Sequence, residues 1–199
     1  MSPRKSVAET AATRDRIITS ALALATTAGL EGLTIGRLAT DLGMSKAGVI
    51  GHFGSKEALQ LAVLASAVER FRLRVPARAV GATPGTQRLG RAFDEWIDYM
   101  GESESHGGCF LTSVASEFDG RPGPVRDAVL ETLGAWSAYV REELRTAVES
   151  GELPPDTDVE QVAFELDGTI LAANQAIQLH RNAQAPARAR RAIARLLTT

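Results

Sequence analysis

Apolar residues recur at intervals of three or four along nearly the whole chain, and no strand-like alternation of useful length interrupts them. The pattern predicts an all-α protein. One short predicted helix runs from Ile35 to Leu42, with Thr34 as its N-cap and Gly43 as its terminator. The other predicted helices are one that ends at Gly29, one over 45–52, one from Ser55 to Pro76, and five over 86–100, 109–118, 125–149, 158–181 and 186–197.

The predicted helices over 34–42 and 45–52 are joined by Gly43-Met44 alone, which is too tight a link for them to lie antiparallel. Such a corner is typical of a helix-turn-helix, whose second helix enters the DNA major groove. We expect Ser45, Lys46, Ala47 and Gly48 to form the exposed N-terminal end of that helix. Small side chains there let the backbone approach base edges, while Ser45 and Lys46 supply donors.

Cations stand at two helix starts where the helix dipole disfavours them: Arg37 follows Thr34, and Lys56 follows Ser55. A phosphate would be favoured at the same places by the peptide N–H groups and by the cation. Taken singly, each site also fits ordinary capping beside an incidental surface charge. Taken together, they favour contact with a DNA backbone.

The segment "TRDRIITSALALATTAGLEGLTIGRLATDLGMSKAGVIGHFGSKEALQLAVL" resembles the DNA-binding head of the TetR family of bacterial transcriptional regulators. The resemblance implies a homodimer that binds a near-palindromic, double-stranded operator and is released when a small molecule enters its C-terminal domain. It divides the chain into a flexible arm (1–13), a helix-turn-helix DNA-binding domain (14–55) and an effector-binding and dimerisation domain (56–199). The implied fold is a three-helix head followed by a helical body.

By position, the resemblance places DNA contacts at eight residues: Thr34, Arg37, Ser45, Lys46, Ala47, Gly48, His52 and Lys56. His52 has two interpretations, contact with phosphate or packing on Phe53. The chain departs from the family at Ile50 and Gly51, where most members carry aromatic residues, which predicts weaker affinity per half-site or a shifted register. Arg4 and Lys5 could form an arm that enters the minor groove, or belong to a disordered terminus.

The helix over 158–181 carries an apolar stripe close to a coiled-coil seam, and the last helix has a narrow apolar edge. The pattern alone leaves open whether they complete the monomer core or pack against a second copy. The resemblance implies a four-helix dimer interface. The predicted interface residues are Val159, Val162, Leu166, Ile170, Ala173, Ile177, Ile193 and Leu197.

An effector pocket is expected between the middle helices, as an apolar chamber with a few polar groups suited to a small aromatic or acyl compound. The candidate lining residues are Trp96, Tyr99, Met100, Phe110, Ser113, Glu117, Trp136, Tyr139, Phe164 and Asp167. Each aromatic residue taken singly also fits plain core. Glu117 and Asp167 stand out because a buried carboxylate on an apolar helix face needs a partner.

Cys109 follows two glycines and admits two interpretations: an exposed thiol whose pKa His106 lowers, which would make a redox sensor, or a small buried residue at a helix start. The spacing of Glu102, Glu104, His106 and Cys109 matches no standard metal site, so no metal and no cofactor are predicted.

Composition further limits which functions and cellular locations we expect of this protein. Residues 1–56 carry seven Lys and Arg against four Asp and Glu, although the whole chain has a net charge of −2. A basic head on an acidic body suits a polyanion partner for the head. No apolar run is long enough for a membrane span, and the N-terminal stretch lacks the apolar core of a secretory signal. The single cysteine is what we expect of a cytoplasmic protein. G-x-S-x-G, H-E-x-x-H, P-loop and Rossmann patterns are absent, so an enzyme is not expected. An adaptor module without DNA binding is not expected either, because it would have no reason to collect cations at its helix starts.

Overall fold

The computed structural model describes residues 7–102 and 108–198, and every regular element in these ranges is an α-helix. The ten helices are α1 (Val7–Ala28), α2 (Ile35–Leu42), α3 (Lys46–Ile50), α4 (Lys56–Arg74), α5 (Pro76–Ala79), α6 (Thr86–Gly101), α7 (Phe110–Phe118), α8 (Pro124–Glu149), α9 (Val159–Gln178) and α10 (Ala185–Leu196). The all-α prediction is confirmed. Arg4, Lys5, Glu104 and His106 lie outside the described residues.

Side-chain hydroxyls fix the starts of the three helices that follow α1. Thr34 accepts a hydrogen bond from the peptide N–H of Arg37 at 3.3 Å, and Ser45 accepts one from Gly48 at 3.0 Å. Ser55 accepts one from Ala58 at 3.0 Å. Each bond satisfies one of the N–H groups that a helix start leaves without an intrahelical acceptor. The helix starts therefore lie where the sequence predicts them.

Helix α4 joins the first three helices to the rest of the chain. It packs against α1 on one side and against α7 and α8 on the other, with Leu59, Val63 and Leu64 buried. It ends at Arg74, two residues before Pro76, because a proline inside a helix removes a peptide donor and clashes with the preceding turn. We call α1 to α3 the head and α4 to α10 the body.

The apolar stripe of α9 faces the interior of its own chain, where the predicted dimer-interface residues contribute to the core. Leu166, Ile170 and Ala173 are buried against the body, and so are Ile193 and Leu197 near the chain end. Val159, Val162 and Ile177 pack against the same core while partly exposed. The periodicity identified a buried face correctly, but α6, α8 and α10 cover it. Within a single chain these residues are core.

Two local predictions also differ from the structure. Helix α1 begins at Val7, so the second half of the predicted flexible arm is helical. The stretch between the helices predicted to end at Pro76 and to begin at 86, to which the sequence assigns no helix, contains the short helix α5. Among the residues that the structure describes, no helix combines the length and the apolar content needed to cross a membrane.

Candidate nucleic-acid interface and effector site

The corner between α2 and α3 is held by two buried apolar side chains and one glycine. Leu38 and Val49 are fully buried. Gly43 adopts φ +62°, a left-handed conformation that ends α2 and lets the Met44 N–H donate to the Ala39 carbonyl at 2.8 Å. The corner has the short links and packed interior of a helix-turn-helix.

The start of α3 presents the predicted recognition surface to solvent. Ser45, Lys46 and Ala47 are exposed, while Gly48 is half-buried beside the Ser45 hydroxyl. The Lys46 side chain extends over Gly36, since a Cβ placed at Gly36 would lie 3.2 Å from its Cε. The interior side chains hold the corner rigid, and the outer surface carries one cation and small side chains that allow close approach to bases.

The flanking cations differ in their surroundings. Arg37 is exposed, and its guanidinium makes no hydrogen bond or ion pair with residues 7–102 or 108–198. The Lys56 ammonium is occupied: it donates to the Glu31 carbonyl at 2.7 Å and to the Glu31 carboxylate at 3.2 Å. His52 packs beside Phe53, with ring centroids 6.4 Å apart, and the guanidinium of Arg14 lies 4.9 Å from the centre of the Phe53 ring.

In the body, aromatic side chains from α4, α6 and α8 form one cluster, which we call the aromatic cluster. Its members are Phe71, Phe93, Trp96, Tyr99, Trp136 and Tyr139. The Trp96 and Trp136 rings meet edge to face with centroids 4.8 Å apart, and Phe71 meets Trp96 at 4.9 Å. Aromatic pairs prefer this geometry because the positive ring edge faces the negative ring face.

Three donors of the aromatic cluster are buried without a well-aligned hydrogen bond to the described residues, although Trp136 lies beside the Asp167 carboxylate and Trp96 beside the Cys109 thiol. They are Trp96 Nε1, Trp136 Nε1 and the Tyr139 hydroxyl. Buried indole and phenol donors usually have an acceptor, because leaving one unpaired costs ~1–3 kcal/mol. Burial, and then the nearby Glu143 carboxylate, raise the pKa of Tyr139 to about 12. Burial also raises the pKa of Asp167, although the adjacent Trp136 indole and the Arg141 charge partly oppose it.

A narrow apolar crevice lies between α4, α7 and α8. It is lined by Leu64, Leu111, Val129, Thr132 and Leu133, and it is too narrow to admit a water molecule. Sites for drug-sized molecules usually enclose about 300–1,000 Å³. A molecule of that size must therefore move these helices apart to enter.

Two family profiles match this chain, one over its N-terminal part and one over its C-terminal part. The sequence profile of the bacterial regulatory proteins of the tetR family matches residues 17–63. The profile of the tetracyclin repressor-like C-terminal domain matches residues 85–193, which is more than half of the chain. The chain belongs to the TetR family.

Similar proteins agree with this membership. The HTH-type transcriptional regulator SrpR of Pseudomonas putida is 27% identical over 170 residues, covering 79% of this chain and 71% of SrpR. A TetR transcriptional regulator from Chloroflexus aurantiacus has a TM-score of 0.89 and 25% identity, covering 97% of this chain and 98% of that one. AibR in complex with isovaleryl coenzyme A and operator DNA has a TM-score of 0.75 and 20% identity, covering 93% and 97%.

This TetR-family chain is therefore a DNA-binding transcriptional regulator, and its family and relatives are regulators and not enzymes. The redox-sensing alternative has no support: Cys109 is fully buried, and burial raises the pKa of its thiol despite hydrogen bonds from its neighbours. A buried, protonated thiol is unreactive because the thiolate is the nucleophile.

The structure brings together only part of the predicted pocket. Trp96, Tyr99, Trp136 and Tyr139 belong to the aromatic cluster, while Met100 and Phe110 are buried in the core. Asp167 is half-buried beside Trp136.

Three predicted pocket residues lie elsewhere in the single chain. Phe164 is 73% exposed and Ser113 is exposed, so neither lines an interior chamber. The Glu117 carboxylate points to the head, where it accepts hydrogen bonds from the peptide N–H groups of Leu30 and Glu31. The apolar face of α7 on which Glu117 lies suggested a carboxylate buried in the body. The groups that hydrogen-bond to it are instead backbone N–H groups 86 and 87 residues earlier in the chain.

Sequence reasoning missed two members of the aromatic cluster. Phe71 and Phe93 lie on helices that the periodicity predicts, and each faces both tryptophans. An i, i+3 pair of aromatics on α6, Phe93 and Trp96, is the sequence signal that could have identified that part of the cluster.

Proposed function

We propose that the chain is a cytoplasmic repressor that binds a near-palindromic operator as a homodimer and dissociates when a small molecule binds its body. The observation that carries the proposal is the exposed start of α3, where Ser45, Lys46 and Ala47 face solvent above a packed corner. Residues 14–55 would form the DNA-binding unit and residues 56–199 the effector-binding and dimerisation unit.

The contacts to DNA divide by their surroundings. Ser45, Lys46, Ala47 and Gly48 would face base edges, because they form the exposed N-terminal end of α3. Thr34 and Arg37 would contact the phosphate backbone of the DNA and so position the protein on it, and Arg37 is the cation available to a phosphate.

Lys56 and His52 have a weaker case as phosphate contacts. The Lys56 ammonium already binds Glu31, so a phosphate would have to compete with that carboxylate. The ring of His52 packs beside Phe53, which supports a structural role alongside any contact with DNA.

The dimer would form through the outer face of α9. Phe164, Leu171 and Leu179 are 73%, 54% and 69% exposed, and they recur along one side of the helix at intervals of seven and eight. Gly168 has no atom within 4 Å of a Cβ position, and Ala172 is exposed, so a second helix can approach closely between the large side chains. An apolar stripe of this kind on a folded chain marks an interaction surface.

The effector would bind at the aromatic cluster. The buried donors of Trp96, Trp136 and Tyr139 favour a compound that carries hydrogen-bond acceptors, and the rings favour an aromatic or acyl body. AibR, of the same fold, binds isovaleryl coenzyme A, and a similar regulator from Saccharomonospora viridis was solved with choline, which supports a small organic molecule in this body.

Selection of bound sequences from random duplex DNA at near-physiological salt tests the proposal, with two variants in parallel. Ala47→Glu puts a carboxylate on the exposed start of α3, and Ala138→Glu puts one on the exposed face of α8. We expect the wild type and Ala138→Glu to enrich the same palindrome and Ala47→Glu to enrich none. Enrichment of one palindrome by all three proteins would overturn the proposed interface.

A compound screen then tests the release. We expect an effector to weaken binding to the enriched palindrome by about 5- to 150-fold, the usual range of coupling between two sites. Equal affinity with and without every compound shown to bind the body would overturn effector release and leave DNA recognition standing.

A further inference from the structure

The link between α1 and α2 is held by side chains of the body. We call residues 29–31 the α1–α2 corner. The Glu117 carboxylate on α7 accepts two hydrogen bonds from this corner: Leu30 N–H donates to Oε2 and Glu31 N–H donates to Oε1, both at 2.8 Å. We call this pair of bonds the Glu117 clamp. Both bonds are charge-assisted, and the two carboxylate oxygens each take one donor.

Helix α4 holds the other side of the same two peptide units. Gln60 Nε2 donates to the Leu30 carbonyl at 3.0 Å, and Lys56 Nζ donates to the Glu31 carbonyl at 2.7 Å. Both side chains also bind the Glu31 carboxylate, at 3.1 Å and 3.2 Å. Both N–H and both C=O groups of these two residues are therefore bound by body side chains, which fixes the corner in position.

The corner is shaped to admit the carboxylate. Gly29 has φ +78°, a conformation that L side chains rarely adopt, and a Cβ at this position would lie 2.7 Å from Glu117 Oε1. A side chain at residue 29 would therefore displace the clamp. The glycine has two functions here: it ends α1, and it opens the path by which α7 reaches the head.

Helix α7 also forms one wall of the apolar crevice, through Leu111, six residues before Glu117. The opposite walls belong to α4 and α8. A molecule that enters the crevice between Leu64 and Leu111 and separates them moves α7 relative to α4. Since Lys56 and Gln60 hold the corner to α4, such a movement must break the Glu117 clamp or pull the corner out of position.

We propose that Glu117 is a positioning residue for DNA binding: its clamp fixes the orientation of the head on the body, and displacement of α7 loosens it. This inference rests on the proposed function, because it assigns a route by which a molecule that separates α7 from α4 at the crevice reduces DNA affinity. In this proposal α7, as well as α4, contacts the head directly and helps to orient the helix-turn-helix.

The test replaces the carboxylate while keeping its size. Glu117→Gln leaves one acceptor for two N–H donors, and Asp119→Asn makes the same chemical change two residues later on an exposed side chain with no hydrogen bond to the described residues. Amide hydrogen exchange of Leu30 and Glu31 reports the clamp itself. We expect both amides to exchange at least about tenfold faster in Glu117→Gln and at the wild-type rate in Asp119→Asn.

DNA affinity is measured on the palindrome that the wild type enriches, without effector. We expect Glu117→Gln to bind it about tenfold more weakly. The slope of affinity against salt should not change, because Glu117 contacts no phosphate and the contacting residues are intact. A merely structural role would speed exchange at the two amides and leave DNA affinity at the wild-type value, which would overturn the proposal.

A second substitution fills the crevice in place of the unidentified effector, so that the movement of α7 can be tested without it. Thr132→Phe places a ring in the crevice, and thermal unfolding is used to check that the variant folds. We expect it to weaken DNA binding in the wild-type background and to add little in the Glu117→Gln background, because both changes act through the clamp. Full additivity of the two changes would overturn the proposed route. If the wild type enriches no sequence, the proposed function fails; if it does and Glu117→Gln binds as tightly, only the clamp fails.

Discussion

At the scale of single residues, burial determines which chemical groups of the body can react or titrate. The Cys109 backbone N–H donates to the Asn174 side chain at 3.0 Å, and its thiol is enclosed in the core beside Thr112. The preceding Gly108 has φ +75°, and a Cβ there would lie 2.5 Å from Asn174 Oδ1, so the glycine permits this close contact with α9. Gly108 therefore serves packing and does not expose the thiol.

The first prediction concerns the thiol. We expect Cys109→Ser to leave operator affinity and its response to effector unchanged, since a buried thiol with a raised pKa takes part in neither. A disulfide reagent should label the native wild type slowly and the denatured protein fast. Loss of DNA binding on mild oxidation, abolished by Cys109→Ser, would contradict this prediction.

The second prediction concerns Asp167, whose pKa burial raises. A folded state with a raised carboxyl pKa binds protons more tightly than the unfolded chain, so ionisation of Asp167 opposes folding. This destabilisation is fully present above the raised folded pKa and is absent below the unfolded value of about 3.9. Asp167→Asn should therefore raise the free energy of unfolding at pH 8, and the gain should shrink as the pH is lowered through that window.

Denaturant unfolding at several pH values measures the difference. Asp156→Asn, an exposed carboxyl in the loop before α9, is the matched control and should change little at any pH. An Asp167→Asn gain that stays constant from pH 8 to pH 4 would show that packing, and not ionisation, causes it.

At the scale of helices, the sequence predicts features that depend on residues a few positions apart, such as helix caps. It does not predict which distant parts of the chain contact each other. The caps of α2, α3 and α4 depend on hydroxyls three residues before the N–H groups they bind, so their positions follow from spacing alone. The stripe of α9 predicts a buried face, but periodicity does not say which surface covers it. The hydrogen-bond partners of Glu117 lie in the link between α1 and α2, far away in the sequence, and no local pattern reveals them.

The third prediction separates two cations that flank the corner of the head. Arg37→Ala should weaken binding to all DNA sequences, because Arg37 is exposed at the start of α2 and available to a phosphate of the DNA backbone. The slope of log affinity against log salt concentration should become shallower by the amount expected for about one lost phosphate contact. Lys46→Ala should change which sequence is preferred, because Lys46 lies on the surface that faces base edges. Titrations of the selected palindrome and of a scrambled duplex at several salt concentrations give both quantities.

The control for this pair is Arg145→Ala, an exposed cation of α8 far along the chain from the head. It should leave both the salt slope and the sequence preference unchanged. If Arg37→Ala and Lys46→Ala behave alike, the division into backbone and base contacts is wrong.

At the scale of the whole molecule, assembly determines whether two heads can bind one operator. Two helix-turn-helix units fill successive major grooves only when they lie about 34–36 Å apart, which a single chain cannot achieve. The exposed stripe of Phe164, Leu171 and Leu179 is the α9 surface left for a second copy, because the other apolar face of this helix is used within the chain.

The fourth prediction tests that surface with one charge. In a two-fold symmetric interface each substitution occurs twice, so Leu171→Glu would bury two carboxylates among apolar side chains. We expect it to weaken the dimer by at least ~2 kcal/mol per substituted side, as for a central interface residue. Sedimentation across a range of concentrations should show a monomer where the wild type is a dimer. Operator affinity should fall as well, because the two heads then bind independently.

Leu130→Glu is the matched control, since Leu130 is 51% exposed on α8 and Leu171 is 54% exposed on α9. Both variants carry the same new charge on a similarly exposed leucine, so general effects on solubility or folding should be equal in the two. Dissociation of Leu171→Glu alone supports the α9 interface. Dissociation of Leu130→Glu alone would place the interface on α8 instead, and the heads would then be held apart by a different pair of helices.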